Sequence, residues 1–385
     1  MPREPCAGSR ILMQALVTDA HLRTAVAAIR GFGRAGIRPI ATGPAGAAGL
    51  ASRFASKRVT TPDATADRAG FTAALVTLAS RHGPFVLYPC QEASLDASLE
   101  LAVGDNDAIR LPLAVGAPTA RLRDKRELSG LAARAGLAAL EDYYSGPASG
   151  VGDVPFPSVL KPLEADGALQ RIVALHSRAD LDNATRRLPA DEPVLIQELA
   201  TGDLSAVVLL VAPDGRLVAR FQQRALRTWP NGAGPSAVAV SVVPDDELID
   251  RAHALLRSAG YWGLAEMQLV GTRRGPALID VNTRFYGSLP LALRAGVNFP
   301  ALWHALATDG DLPDRSPGYL TDVGFRWLEA DLSALMRGNV GALAGAGPRP
   351  RVGAMWASDD RRASLRLARA AIGVRVRRRV GGERA

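Results

Sequence analysis

Two apolar strands joined by a short Gly-bounded loop, GLAEMQLVGTRRGPALIDVN (Gly263 to Asn282), constrain this chain more than any other stretch. Each carries polar residues at alternate positions: Glu266 and Gln268 on the first, Asp280 and Asn282 on the second. Side chains alternate between the faces of a strand with period two, so an antiparallel hairpin gathers these four on one side. Pairing centred on Arg273 sets Glu266 directly opposite Asp280 and puts Leu278 on the same face. Facing side chains stand about 4.5–5.5 Å apart at Cβ, and two carboxylates that close repel unless something positive lies between them. Two carboxylates and the Asn282 amide make an all-oxygen set with open positions, the donor chemistry of a Mg²⁺ that also holds substrate phosphates. Arg284, two residues on, has the planar fork that grips a phosphate. A polar hairpin face turned to solvent is the alternative reading of the same pattern.

The rest of the chain changes grammar once. Up to about Pro118, apolar strands (Ile11 to Val17, Ile37 to Gly43, Phe85 to Pro89) alternate with helical periodicity (His21 to Ala35, Phe71 to Ser80, Ala93 to Ala102), which predicts a parallel α/β layer. The first strand is not followed by GxGxxG, so a dinucleotide site is unsupported. Beyond it, a helix over Arg121 to Ala135 precedes strands at 157–161, 171–175, 194–199, 205–211, 217–222 and 237–243. Turn signals such as Pro213-Asp214-Gly215 favour antiparallel pairing there, so this part reads as α+β. A helix over Glu247 to Ala259 precedes the hairpin, and helical stretches recur near 325–335 and 364–371.

Composition narrows the class. With 385 residues, 48% of them hydrophobic, the chain can bury a large core, and its longest apolar runs are strand-length, far short of a membrane span. The apolar run near the N-terminus contains Gln14 and meets Asp19, unlike a secretory signal, and Cys6 and Cys90 make neither a disulfide framework nor a metal spacing. A reducing cytoplasm is the expected compartment. The net charge of +8 is local: residues 361–385 hold nine arginines and one acid, and the remainder is balanced. This predicts a solvated, partly disordered basic tail, with an anionic membrane surface or a polyanion as the alternative partner. Nucleic acid is not an expected partner.

At the hairpin the sequence resembles the closing motif of the ATP-grasp superfamily: AEMQL, then LIDVNTRFYGSLPLALRAGVNFP. Its carbamoyl-phosphate-synthase-like branch, with predicted carboligases and carboxylate–amine ligases, is the most similar. Further landmarks stand in the family's order. RDKRELSGLAARAGL resembles the helix whose lysine, here Lys125, meets nucleotide phosphates; PSVLKPLEADGA resembles the strand bearing the second lysine, Lys161, and the loop over the phosphates. VLIQELATGDLSA is similar to the adenine hinge, which implies Gln197, Glu198 and Leu199 around the base and Asp203 at the ribose. Three departures stand out: Asp280 replaces the usual Glu, Thr283 a common Pro, and the phosphate loop is poor in glycine.

The resemblance implies an N-terminal parallel α/β domain (1–117), two α+β lobes of an ATP-grasp fold (118–200 and 201–312), an accessory segment (313–360) and the Arg-rich tail (361–385). It implies ATP and Mg²⁺ or Mn²⁺ as cofactors, with Glu266, Asp280 and Asn282 on the metal. The implied reaction activates a carboxylate as an acyl phosphate for an amine, with Lys161 and Arg284 catalytic. A Mg·ATP-binding protein without ligase activity is the competing expectation. Arg224 and Arg227, in QQRALRTWPNGAGPSA, are candidates to hold substrate or sit as surface residues at a strand end; Arg294 and Asn298 follow the metal strand and are further candidates. The five histidines show no ligand spacing and read as surface or boundary residues.

Overall fold

Five short strands, β1 (Gln14–Val17), β2 (Ile40–Gly43), β3 (Lys57–Thr60), β4 (Phe85–Tyr88) and β5 (Ile109–Arg110), form the first sheet of the computed structural model. The structure describes residues 13–103, 107–163, 172–230, 234–336, 338 and 347–380. The order is β3-β2-β1-β4-β5, and every pair is parallel. Parallel neighbours need crossovers, and α1 (Arg23–Arg34), α2 (Arg68–His82) and α3 (Glu92–Val103) lie between the strands in sequence. Ala15 to Val17 and all of β4 are buried, the signature of a sheet covered on both faces. Strand order reverses between β1 and β4, so a crevice opens at their carboxyl ends.

The helix expected over Arg121 to Ala135 is two helices, α4 (Ala117–Arg123) and α5 (Lys125–Arg134). Asp124 between them is extended, and its carboxylate accepts from the Arg126 N–H at 2.9 Å, capping α5. Lys125 therefore opens a helix instead of riding mid-helix. Next come β6 (Asp142–Pro147), β7 (Ser158–Pro162), β8 (Val173–Leu175) and β9 (Pro193–Glu198), an antiparallel sheet in the order β6-β9-β7-β8. Helix α6 (Arg178–Thr185) closes a small separate core through Leu181, against Leu160, Leu175, Val194 and Ile196.

The third sheet holds β10 (Leu204–Val211), β11 (Leu217–Thr228), β12 (Ser236–Ser241), β13 (Gly263–Thr272), β14 (Gly275–Asn282), β15 (Gly324–Arg326) and β16 (Arg351–Gly353). Its order is β14-β13-β10-β11-β12-β15-β16, antiparallel except for the last pair. Strand β11 runs six residues past its expected end at Gln222, so Arg224 and Arg227 lie inside a strand. Helix α7 (Asp246–Ser258) covers the sheet with Leu248, Ile249, Ala252, Leu255 and Leu256. The parallel α/β layer followed by α+β units agrees with the sequence reading.

The first and third sheets share one core. Helices α8 (Leu289–Ala295) and α9 (Phe299–Ala307) pack on α1, where Phe32, Tyr88, Phe285 and Trp303 cluster with ring centroids 5.0–6.1 Å apart. His304 joins this cluster and is buried, contrary to the expectation for the histidines: the Tyr88 hydroxyl lies 3.0 Å from its Nδ1. Burial pushes His304 down to about 4 and Tyr88 well up, so both rings stay neutral across this contact.

After α10 (Leu328–Met336), the basic segment is helical, α11 (Arg361–Val380), where a partly disordered tail was expected. Its first turns bury Ala363 and Leu367 against Val26 and Ala48, which gives them an apolar partner that local composition does not reveal. Just ahead, Asp360 accepts from Arg30 Nε at 3.0 Å and from the Ser52 hydroxyl at 2.9 Å, both buried. Among the described residues no helix is long and apolar enough to cross a membrane.

Candidate functional site

The hairpin forms in a different register from the one centred on Arg273. Thr272 pairs with Gly275 around a two-residue turn, Arg273-Arg274, and Gly275 takes φ 107°, a left-handed conformation that favours glycine. The strands then fall out of step between Gln268 and Leu269, leaving Ile279 as an extra residue on β14. Glu266 consequently faces Asn282, and Gln268 faces Asp280. Leu278 pairs with Leu269, turns to the opposite face and joins the core. The four polar side chains still share one cavity wall, as the period-two reading requires.

Glu266 is 4% exposed and accepts from Asn282 Nδ2 at 3.0 Å and Gln268 Nε2 at 3.4 Å. Burial pushes its carboxyl up to about 7. Asp280 is raised as well, by burial, with Lys125 the strongest opposing charge and Glu92, Lys161 and Arg284 also within reach. One buried and one half-buried carboxylate beside an amide oxygen, neither ion-paired among the described residues, fit a hard divalent cation.

Three cations surround these acids. Lys161, at the end of β7, is buried and donates to Gln197 Oε1 at 2.7 Å; Gln197 Nε2 donates in turn to Asp142 at 2.6 Å. Burial pulls Lys161 down to about 8 and lowers Lys125 too. Lys125 Nζ donates to the Pro162 carbonyl at 2.5 Å, which ties the start of α5 to the end of β7. Arg284 Nε meets Glu92 Oε1 at 2.7 Å, and Arg123 grips Glu92 from the other side, also at 2.7 Å. Burial draws Arg284 down, but Glu92 outweighs it and the guanidinium stays charged; the same arginines hold Glu92 below the usual carboxylate range despite burial. Sequence reasoning missed Glu92, because only the order of the first sheet brings the start of α3 to the third.

Beside this cluster lies a slot of about 370 Å³ with an apolar lining: Leu140, Val159, Ile172, Leu204, Val270 and Ile279, with Lys161 at one edge. Glu198, Leu199 and Asp203, from the segment expected to form the hinge, line it. Gln197 does not: its amide turns to Lys161, so its place is behind the lysine. The Glu198 carboxylate is held by Arg274, with the Glu141 N–H at 3.2 Å, and Asp203 pairs with Arg224 at 3.3 Å on the surface. Through Nη2, Arg227 meets the fully buried Asp331, which Arg326 also holds, while Nε and Nη1 of Arg227 are buried without a partner among the described residues. Asn298 caps α9 and bonds the Gly31 carbonyl at 2.8 Å, while Arg294 lines a different cleft beside Arg34 and Arg351. The expected phosphate loop, 164–168, lies outside the described residues.

A second cavity of about 400 Å³ adjoins the slot, sharing Leu204, Ala225, Pro235 and Gln268 with it. Glu266, Asp280, Asn282 and Arg284 form one wall; Leu22, Arg23, Thr24, Cys90 and Gln91, from the crevice at β1 and β4, form another.

Residues 192–329 match a family model described as ATP-grasp in the biosynthetic pathway with Ter operon. No curated protein matches the chain in sequence. The fold is that of ATP-grasp proteins. A biotin carboxylase from Campylobacter jejuni, described as a complex with β,γ-ATP, superposes with a TM-score of 0.63 at 13% identity, covering 81% of this chain and 74% of that one. The biotin carboxylase domain of the Hydrogenobacter thermophilus 2-oxoglutarate carboxylase, bound to MgADP, ADP and bicarbonate, gives 0.61 at 14% identity, covering 81% and 73%. An L-amino acid ligase from Bacillus licheniformis gives 0.53 at 14% identity, covering 77% and 74%. The likeness thus extends to carboxylases as well as to a ligase of the kind expected from sequence.

Proposed function

We propose that the chain is an ATP-dependent ligase that activates a carboxylate as an acyl phosphate and passes it to an amine. The carrying observation is the convergence of Glu266, Asp280 and Asn282 with Lys125, Lys161 and Arg284 where an apolar slot meets a polar cavity. The slot suits an adenine, which wants apolar walls and a few polar anchors. The lysines and Arg284 suit the phosphates, whose charge shifts as the γ-phosphoryl moves. Glu266, Asp280 and Asn282 would hold Mg²⁺, which neutralises phosphate charge and orients the triphosphate.

A carboxylate oxygen of the substrate attacks Pγ, the bond from Pγ to the bridging oxygen breaks, and ADP leaves with that electron pair. An amine nitrogen then attacks the acyl carbon, the carbon–oxygen bond to phosphate breaks, and phosphate departs as the amine loses a proton. Lys161, fixed by Gln197, and Arg284, fixed by Glu92, meet this changing charge without reorganising. The protein's share is positioning and electrostatics, so no covalent protein nucleophile is needed.

The test is Mg²⁺-dependent phosphate release from ATP, wild type against Asp280→Asn, over pools of amino acids and small carboxylates. Release stimulated by one pool and lost in the variant is the expected result. Nucleotide-dependent thermal stabilisation with no stimulated release would favour a binding protein instead.

A further inference from the structure

The polar cavity holds three groups that the proposed phosphoryl transfer leaves unused. Arg23, in the first turn of α1, lines it and keeps accessible surface. Its Nη1 donates to the Gly287 carbonyl at 2.5 Å, and its Cζ lies 4.2 Å from the centre of the Trp327 ring. Among the described residues it has no carboxylate at ion-pair distance, although Arg123, Arg227, Arg284 and Arg326 all do. Gln223, 3% exposed, donates to Ser288 Oγ at 2.6 Å and leaves its Oε1 without a partner. Tyr286, 1% exposed, leaves its hydroxyl without one. All three line the same cavity: Arg23 from α1, Gln223 from β11 and Tyr286, packed in the main core, from the link between β14 and α8.

Unpartnered buried polar atoms are costly, and two in one cavity beside an unpaired guanidinium mark a place for a ligand. The guanidinium supplies a fork for a carboxylate. The Gln223 oxygen accepts from an N–H or O–H, and the Tyr286 hydroxyl can donate or accept. These groups stand at the crevice where the strand order of the first sheet reverses, the usual place for a ligand in such sheets. Glu266, Asp280 and Arg284 share the cavity, so a molecule held here stands next to the phosphoryl-transfer face.

Resting on the ligase reading, we propose that Arg23, Gln223 and Tyr286 form the subsite for the amine-bearing substrate and that this substrate carries its own carboxylate. Arg23 grips the carboxylate, while Gln223 accepts a hydrogen bond from the amine and aims its lone pair at the acyl phosphate. An α-amino acid is the simplest molecule with that pair of groups.

The experiment uses the full chain and two probes, an equimolar L-amino acid mixture and the same amino acids as carboxamides. Each is read by thermal shift without nucleotide, and by Mg·ATP-dependent phosphate release with a constant pool of small carboxylates. The amino acids should raise the melting temperature and stimulate release at concentrations at least about tenfold below the carboxamides, as befits loss of a charge-assisted pair. Arg23→Gln should abolish that preference while stabilisation by a Mg²⁺-bound non-hydrolysable ATP analogue stays unchanged. Arg23→Lys, which keeps the charge but not the fork, should retain part of it and serves if the glutamine variant does not fold. Gln223→Leu should raise the half-saturating amino acid concentration.

An unchanged preference in both Arg23 variants overturns the subsite, as does equal response to the carboxamides or no response to either probe. Loss of nucleotide stabilisation with the amino acid response intact overturns it too, by giving Arg23 to the nucleotide. An Arg23-dependent thermal shift without any phosphate release would sustain the subsite and remove the ligase reading.

Discussion

Where the segment before α11 meets α1, a buried arginine and a buried aspartate satisfy each other. Arg30 has Asp360, the Met355 carbonyl and Ser364; Asp360 has Arg30, Ser52 and the Arg53 N–H. On the hairpin, Glu266 is buried with two amide neighbours and Asp280 half-buried with cations nearby, and neither has an ion pair of its own among the described residues. The first arrangement closes its hydrogen bonds within the protein, whereas the second keeps acceptors open onto a cavity. Burial of charge therefore marks two different things here, an internal fastening and a surface prepared for a ligand. What separates them is whether the polar atoms are used up.

The comparison breaks first at the fastening. Asp360→Ala should cost about 3–5 kcal/mol, since it strands a buried guanidinium, and chemical denaturation would measure it. Phosphate release per folded molecule should stay at the wild-type level. At the hairpin the opposite pattern is expected: Glu266→Gln should lower Mg²⁺-dependent phosphate release by about 10²–10³-fold, as loss of an electrostatic catalytic group does. Its melting temperature should hold or rise, because a buried carboxylate without an ion-pair partner gives way to a neutral amide.

His304 supplies a third kind of burial, a titratable group kept neutral. Its folded pKa of about 4 lies below the ordinary 6.5, so the unfolded chain binds the proton first. The stability it preserves is complete above about pH 6.5 and is lost as pH falls toward 4, up to about 3 kcal/mol. Denaturation at pH 7.5 and pH 5 should show that loss, and His304→Gln should show less of it. The smallest effect belongs to the exposed pair Arg224 and Asp203, 3.3 Å apart: Arg224→Ala should change stability by less than about 1 kcal/mol. A larger change would mean that open surface pairs behave like the Arg30 fastening.

Much of the hairpin was legible. Alternation alone put Glu266, Gln268, Asp280 and Asn282 on one face, and Lys161 stood out at the end of an apolar strand. Register escaped because it depends on turn length and on the bulge at Ile279, and neither leaves a period in the sequence. Gln197 was placed in the base slot because a hinge reading follows the backbone, whereas its side chain points to Lys161 across the sheet. The ion pair of Arg227 Nη2 gave no local signal because Asp331 lies 104 residues further along the chain. Arg23 and Glu92 gave no local signal at all; strand order in the first sheet, a long-range property, brings Arg23 to the cavity and Glu92 to Arg284. Local chemistry is readable where one strand carries it, and is lost where several distant segments must meet.

The Arg30–Asp360 fastening spans 330 residues, which bears on how the molecule comes into being. Drawing together two points so far apart is entropically unfavourable in an open chain, so this contact joins late, after the intervening sheets have shortened the distance. On a ribosome it cannot form before residue 360 has emerged. Until then α1, whose first turn carries Arg23, lacks the partner that holds its Arg30 side. The far end of the chain thus supplies the fastening of α1, and a nascent polypeptide that already has its hairpin still lacks this tie.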